Sequence, residues 1–212
     1  DRDLACAVLR GAGDRYFAAG GDLRDLAGVR TETDARRMAA EARAALDAIR
    51  AFPVPVIALV NGDALGGGAE LAVSCDLRVI REGAHIGYIQ GRLAITSAWG
   101  GGPDLAALVG PARALRMTSR CELVPAATAL DWGLADAIAQ VDAVEAALAD
   151  FIAPMLKMST AALRGFKALN SAARRRAPYE ELRAIEQDHF AATWIHDDHW
   201  AAVERLLGRR QG

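Results

Sequence analysis

Long apolar runs are missing from this chain. None approaches the roughly 18 residues a membrane-spanning helix needs, and no basic-then-apolar signal is visible at the N-terminus. Cysteine is scarce: Cys6, Cys75 and Cys121 lie far apart, with no CxxC spacing. An odd, scattered count excludes a disulfide framework and reads as free thiols in a reducing compartment, so the expected location is cytoplasmic. Charge of one sign is not in excess. The 25 Lys+Arg and 27 Asp+Glu leave a formal net charge of -2, which gives no electrostatic case for nucleic acid or an anionic membrane as main partner. An initiating Met is also missing: the chain opens at Asp1 and enters an apolar strand by Leu4, so we expect further residues to precede it.

What is present is ordinary for a single α/β protein: 212 residues, 52% apolar and 25% charged. Leu4 to Leu9 reads as a buried strand closed by the turn Gly11-Ala12-Gly13-Asp14. Tyr16 to Asp22 is a small-residue segment that backbone or ligand can approach closely. Thr33 or Asp34 is the expected N-cap of a long helix to Phe52, with Met38, Ala42, Ala45, Leu46 and Ile49 at helical spacing. Pro53 and Pro55 stop it. Val56 to Val60 is a continuous apolar run, the pattern of a strand buried on both faces. A short helix over Ala69–Ser74 follows, then strands at Leu77–Ile80 and His85–Ile89. Helices are expected over Ala112–Thr118 and Ala126–Trp132, the latter closed by Gly133, and a last strand over Leu134–Ala139. Beyond about Val141 the pattern is helical throughout. The expected organisation is an α/β core over 1–140 and a helical region over 141–212.

The run Asn61-Gly62-Asp63-Ala64-Leu65-Gly66-Gly67-Gly68 is the most informative stretch. A strand, three glycines and a helix place free backbone N–H groups at a helix N-terminus, where negative charge is stabilised. A phosphate loop would need Lys and Ser/Thr directly afterwards, but Ala69-Glu70 follow, and a carboxylate there repels phosphate. The dinucleotide fingerprint GxGxxG is not matched either. A purely structural turn remains the alternative at this level.

The string from Val60 to Asp76, with Gly66-Gly67-Gly68-Ala69-Glu70-Leu71 at its centre, closely resembles the signature of the enoyl-CoA hydratase/isomerase (crotonase) superfamily. Phe17-Ala18-Ala19-Gly20-Gly21-Asp22-Leu23 resembles that family's other oxyanion segment, at the expected separation. The likeness continues through Asp131-Trp132-Gly133-Leu134-Ala135 and covers nearly the whole chain, but a leading β segment of several dozen residues is not in it. The resemblance implies a spiral of ββα units with a C-terminal helical region that covers the site and mediates trimer contacts. It also implies an acyl-CoA thioester as substrate, homotrimers or hexamers, and no separate cofactor, since coenzyme A belongs to the substrate. By position, the backbone N–H groups of Gly21 and Gly67 would hold the thioester oxygen, and Ala19, Gly20 and Leu23 would lie near the adenine of CoA.

The two carboxylates that family hydratases use fall at Glu70 and Gln90. Gln cannot take up or release a proton near neutral pH, and positioned acid–base groups contribute roughly 10²–10⁴-fold, so ordinary hydration is expected to be impaired. The segment Arg92 to Gly101, which includes Trp99, is similar to the corresponding loop of ethylmalonyl-CoA and methylmalonyl-CoA decarboxylases. Decarboxylation makes the enolate without a base, and a neutral Gln90 with an apolar Trp99 suits it. The candidate residues are therefore Glu70, Gln90 and Trp99 beside Gly21 and Gly67. A hydratase or isomerase working with Glu70 alone is the alternative enzyme, and a catalytically weak acyl-CoA binder is the alternative of another class. Without the resemblance, Glu70 reads as a helix-dipole acid, Gln90 as a strand-end residue and Trp99 as loop packing.

Other features carry less. His196-Asp197-Asp198-His199 lacks a third spaced ligand, and the Asp pair reads as the cap of the last helix, with exposed histidines. His85 and His189 have no Ser or Cys arranged for a triad. Arg174-Arg175-Arg176 reads as a solvated helix end, with contact to CoA phosphates as the alternative. No metal is expected.

Overall fold

The computed structural model describes residues 3–208. Its contacts divide the chain into an α/β unit, Ala7–Phe52 with Val56–Ala153, and a helical unit formed by Pro53–Pro55, Pro154 onward and the residues up to Cys6. The division falls at 153/154, not at 140/141, because a helix after residue 140 packs on the last strand of the α/β unit.

The α/β unit repeats one motif: a buried strand, a shorter strand, a helix. β1 (Ala7–Arg10), β2 (Tyr16–Ala18) and α1 (Glu32–Arg50) form the first repeat, and β3 (Val56–Val60), β4 (Asp63–Leu65) and α2 (Gly67–Ser74) the second. β5 (Leu77–Arg81), β6 (His85–Gly87) and α3 (Gly101–Val109) form the third. α4 (Pro111–Arg120), β7 (Leu123–Pro125), α5 (Ala126–Asp131), β8 (Ala137–Ala139) and α6 (Val144–Ile152) complete the unit. One sheet has the order β1-β3-β5-β8, parallel throughout, and the other has β2-β4-β6-β7 with only the last pair antiparallel. All five residues of β3 are buried, as expected for an inner strand of a covered parallel sheet.

Several local expectations are corrected. α1 is capped by Thr31, not by Thr33 or Asp34. The Thr31 hydroxyl accepts the Asp34 N–H at 3.1 Å and donates to the Asp34 carboxylate at 2.7 Å, so the earlier threonine gains a reciprocal pair. The helix ends at Arg50, short of Phe52. β6 ends at Gly87, because Gly87 gives its carbonyl to the Gly66 N–H at 2.8 Å and the chain then turns. The strand over Leu134–Ala139 shrinks to Ala137–Ala139. Its first residues close α5 instead: Gly133, at φ +71°, and Leu134 donate to the carbonyls of Leu130 and Ala129, the paired bonds of a left-handed helix stop. Four elements have no counterpart in the sequence reading, namely β2, β4, β7 and α3.

Arg78 on β5 shows how the loops are tied. Its buried guanidinium donates to the carbonyls of Leu134 (2.7 Å) and Cys75 (3.0 Å), while Asp136 accepts the Arg78 backbone N–H at 2.7 Å. A buried charge persists only when paired and hydrogen-bonded in this way.

In the helical unit, α7 (Thr160–Arg174) lies against α8 (Tyr179–Trp194), and α9 (Asp197–Gly208) follows. Gly165 allows close approach, since a β-carbon there would stand 3.0 Å from that of His189. No single helix among the described residues is long and apolar enough to cross a membrane.

Candidate functional site

The site grows from the turn before α2. Gly66 takes φ +56° and ψ -119°, a conformation closed to residues with a side chain, and its carbonyl accepts the N–H groups of Ala69 and Glu70 at 3.0 and 3.2 Å. The N–H of Gly67, first residue of the helix, has no such acceptor. Neither it nor the N–H of Gly21 makes a hydrogen bond among the described residues.

The fold brings these two glycines together. Pairing of β2 with β4 sets Ala18 beside Ala64, and the chain leaves β2 through Gly20 at φ +93°. A β-carbon on Gly20 would lie 3.1 Å from the Gly67 nitrogen, so the turn rests directly on the helix start. Ala19 is close as well, its carbonyl oxygen 4.0 Å from where a Gly66 β-carbon would be. Leu23 is 61% exposed and is not drawn into this contact.

Glu70, one turn into α2, is 2% exposed. One carboxylate oxygen accepts the backbone N–H groups of Trp99 and Gly101 at 3.0 and 2.9 Å. The other accepts the side-chain amide of Gln90 at 3.1 Å. Gln90 is not a strand-end residue: it opens a 3-10 turn, Gln90–Leu93, three residues past the end of β6. The structure brings Glu70, Gln90 and the Trp99 backbone together around one carboxylate held by three donors. Gly101 must be glycine here, because a β-carbon would meet Glu70 carbons at 2.6–2.7 Å.

The Trp99 ring covers the glycine pair. A β-carbon at Gly67 would lie 2.1 Å from Cζ3 and 2.5 Å from Cη2, and one at Gly21 would lie 3.7 Å from Cζ2 and 3.8 Å from Cη2. Leu26 Cδ1 is also close, 2.8 Å from the same Gly21 position.

Tyr88, Arg50 and Asp104, behind the site, were not singled out from sequence. The Tyr88 hydroxyl donates to the Gly101 carbonyl at 2.8 Å. Burial, reinforced by the Glu70 and Asp104 carboxylates and opposed by Arg50 and Arg78, pushes that phenol well above its ordinary value, so it remains a donor. Arg50 binds Asp104 at 2.8 and 2.9 Å and lies under Gly100, whose β-carbon would be 3.4 Å from the guanidinium. The available signal was slight: a buried tyrosine needs a hydroxyl partner. Nothing local names Gly101 as that partner or Leu26 as a wall.

The remaining candidates stand apart. His85 Nδ1 lies 3.0 Å from an Asp63 carboxylate oxygen that also accepts the His85 backbone N–H at 2.9 Å, a tie between neighbouring strands. The last helix is capped differently from expectation: the His196 ring nitrogen accepts the Asp198 N–H at 3.2 Å, and Asp198 accepts from Ser159 at 2.7 Å. His199 is half-buried rather than exposed, with its ring 4.7 Å from that of Trp194. Arg174 is also half-buried, and Arg175 pairs with Glu181. Among the described residues no group of three or more His, Cys, Asp or Glu could hold a metal ion.

Two parallel-rich sheets wound from ββα repeats, with a glycine-built helix terminus beside a second glycine turn, define a class of fold that solved structures share. A structure of Pseudomonas aeruginosa DspI superposes with a TM-score of 0.89 at 32% identity, covering 99% of this chain and 79% of that one. The family described as enoyl-CoA hydratase/isomerase matches residues 1–211, and the chain belongs to that family. A probable enoyl-CoA hydratase of Bacillus subtilis is 34% identical over 134 residues, 63% of this chain and 52% of its own length. A crotonyl-CoA hydratase of Syntrophomonas wolfei is 29% identical over 211 residues, 100% of this chain and 80% of its own. An ethylmalonyl-CoA decarboxylase of Xenopus laevis is 30% identical over 191 residues, 88% of this chain and 62% of its own. The chain thus spans about half to four-fifths of these relatives.

Proposed function

We propose that this chain decarboxylates malonyl-type acyl-CoA thioesters, with the amides of Gly21 and Gly67 receiving the enolate oxygen. The observation that carries the reading is the group facing Glu70: an amide, Gln90, stands at 3.1 Å where a second carboxylate would be needed to work on a water. In this reaction the bond between the α-carbon and the carboxylate breaks, its electron pair passes into the enolate, and CO₂ leaves. A proton from solvent then returns to the α-carbon. No base is required and no separate cofactor is consumed. Two fixed donors suit a charge that develops during the step, and removal of one such donor costs about 10²–10³-fold in rate. A neutral Gln90 avoids setting a second anion beside a substrate that already carries a carboxylate.

Glu70 then serves chiefly to hold the Trp99–Gly101 segment, through two of its three hydrogen bonds, and to orient Gln90 through the third. A second reading, a hydratase or isomerase using Glu70 as its single acid–base group, is favoured by the burial of that carboxylate beside the glycine turn. The relatives carry names of both kinds. Homotrimers or hexamers are part of the proposal.

Incubation with methylmalonyl-, ethylmalonyl- and crotonyl-CoA separates the readings. We expect CO₂ from a malonyl ester and little hydration of crotonyl-CoA. Rapid hydration with no CO₂ from either malonyl ester sinks the decarboxylase reading. Glu70→Gln should leave CO₂ release within about tenfold of the parent, whereas loss of a sole acid–base group lowers hydration by roughly 10²–10⁴-fold.

A further inference from the structure

Trp99 stands where a side chain can judge the atoms next to the carbonyl. In a helix the Cα–Cβ bond tilts towards the N-terminus, the direction in which the unpaired N–H groups also point. The benzo edge that would strike a Gly67 β-carbon at 2.1–2.8 Å therefore lies beside the place of any oxygen accepted by the Gly67 N–H. The same edge reaches Gly21, 3.7–3.8 Å from its β-carbon position, so one ring spans both donors. It is also held in place: the Trp99 N–H is bound by Glu70, whose other oxygen is bound by Gln90, and Gly101 fixes the following turn. Leu26 Cδ1 packs by the same glycine, 2.8 Å from the Gly21 β-carbon position. The wall is flat, apolar and anchored at its backbone.

We infer that Trp99 determines specificity at the carbon adjacent to the thioester carbonyl: it limits how many substituents that carbon can carry. The inference rests on the proposal that the two amides hold a thioester oxygen. An α-carbon bonded to such a carbonyl has the indole on one side. A carbon carrying one hydrogen can turn it towards the ring, whereas a fully substituted carbon must press a methyl group into it.

The test is binding, not turnover. Dissociation constants are measured for isobutyryl-CoA, which keeps one α-hydrogen, and for pivaloyl-CoA, which has none, on the parent protein, Trp99→Phe and Trp99→Ala. The parent should bind isobutyryl-CoA at least tenfold more tightly than pivaloyl-CoA. The ratio should fall to about threefold or less in Trp99→Ala, with Trp99→Phe between them. An unchanged ratio in either variant, with both esters still binding, overturns this inference alone. Failure of the parent to bind either ester overturns the acyl-CoA reading and the inference with it.

Discussion

A methyl group added at Gly67 would lie 2.1 Å from Cζ3 of Trp99, closer than non-bonded carbon atoms tolerate. Gly67→Ala should thus displace the indole, destabilising the fold by about 1–3 kcal/mol through overpacking, even though alanine is the better helix former. In a Trp99→Ala background the same change should cost at least about 0.5 kcal/mol less, because the clashing partner is gone. Urea unfolding of the four proteins checks this, and strictly additive losses would sink it. Gly67 and Gly21 are pointed to by the resemblance of two short local segments to family motifs, whereas the glycine run by itself leaves a structural turn open. Leu26 and Gly101 were not readable, since each matters only through a neighbour that tertiary structure supplies.

Between elements, the Tyr88 hydroxyl joins the segment after β6 to the first residue of α3. An unfolded tyrosine ionises near pH 10, and the buried phenol is held well above that by desolvation first and nearby carboxylates second. With the folded value raised, this group's contribution to stability is fully present below about pH 10 and declines as pH rises beyond it. Unfolding free energy measured from pH 8 to 11 should fall at the upper end, and Tyr88→Phe should lessen that fall. An equally steep decline in the variant would refute the assignment. The elements themselves were unevenly legible. β3 and α1 announce themselves by an unbroken apolar run and by helical spacing, whereas β4 and β7, at three residues each, are too short to show a period. α3 is concealed because it begins Gly101-Gly102-Pro103. Those residues suggest a loop, yet proline is tolerated in a helix's first turn.

For the molecule as a whole, α8 and α9 leave Phe190, Trp194, Ile195, Trp200, Leu206 and Leu207 exposed, and the rings of Phe190 and Trp200 lie 5.4 and 6.1 Å from that of Trp194. Exposed apolar side chains grouped near one another are expected where a chain associates. Sedimentation velocity at micromolar concentration should therefore find a species well above the 22.4 kDa chain, and Trp194→Asp with Trp200→Asp should shift it towards the monomer. A monomeric parent would remove the trimer from the proposal. The strand register carries a consequence of another kind, in time rather than space. Ile57 pairs with Leu77, 20 residues away, whereas Ala7 pairs with Val56 across 49 residues and Val79 with Ala137 across 58. Closing a longer loop sacrifices more chain entropy before any contact rewards it. β3 with β5, and β4 with β6 across 22 residues, close the shortest loops and are expected to pair early as the chain refolds, enclosing the glycine turn and α2, which lie between β3 and β5.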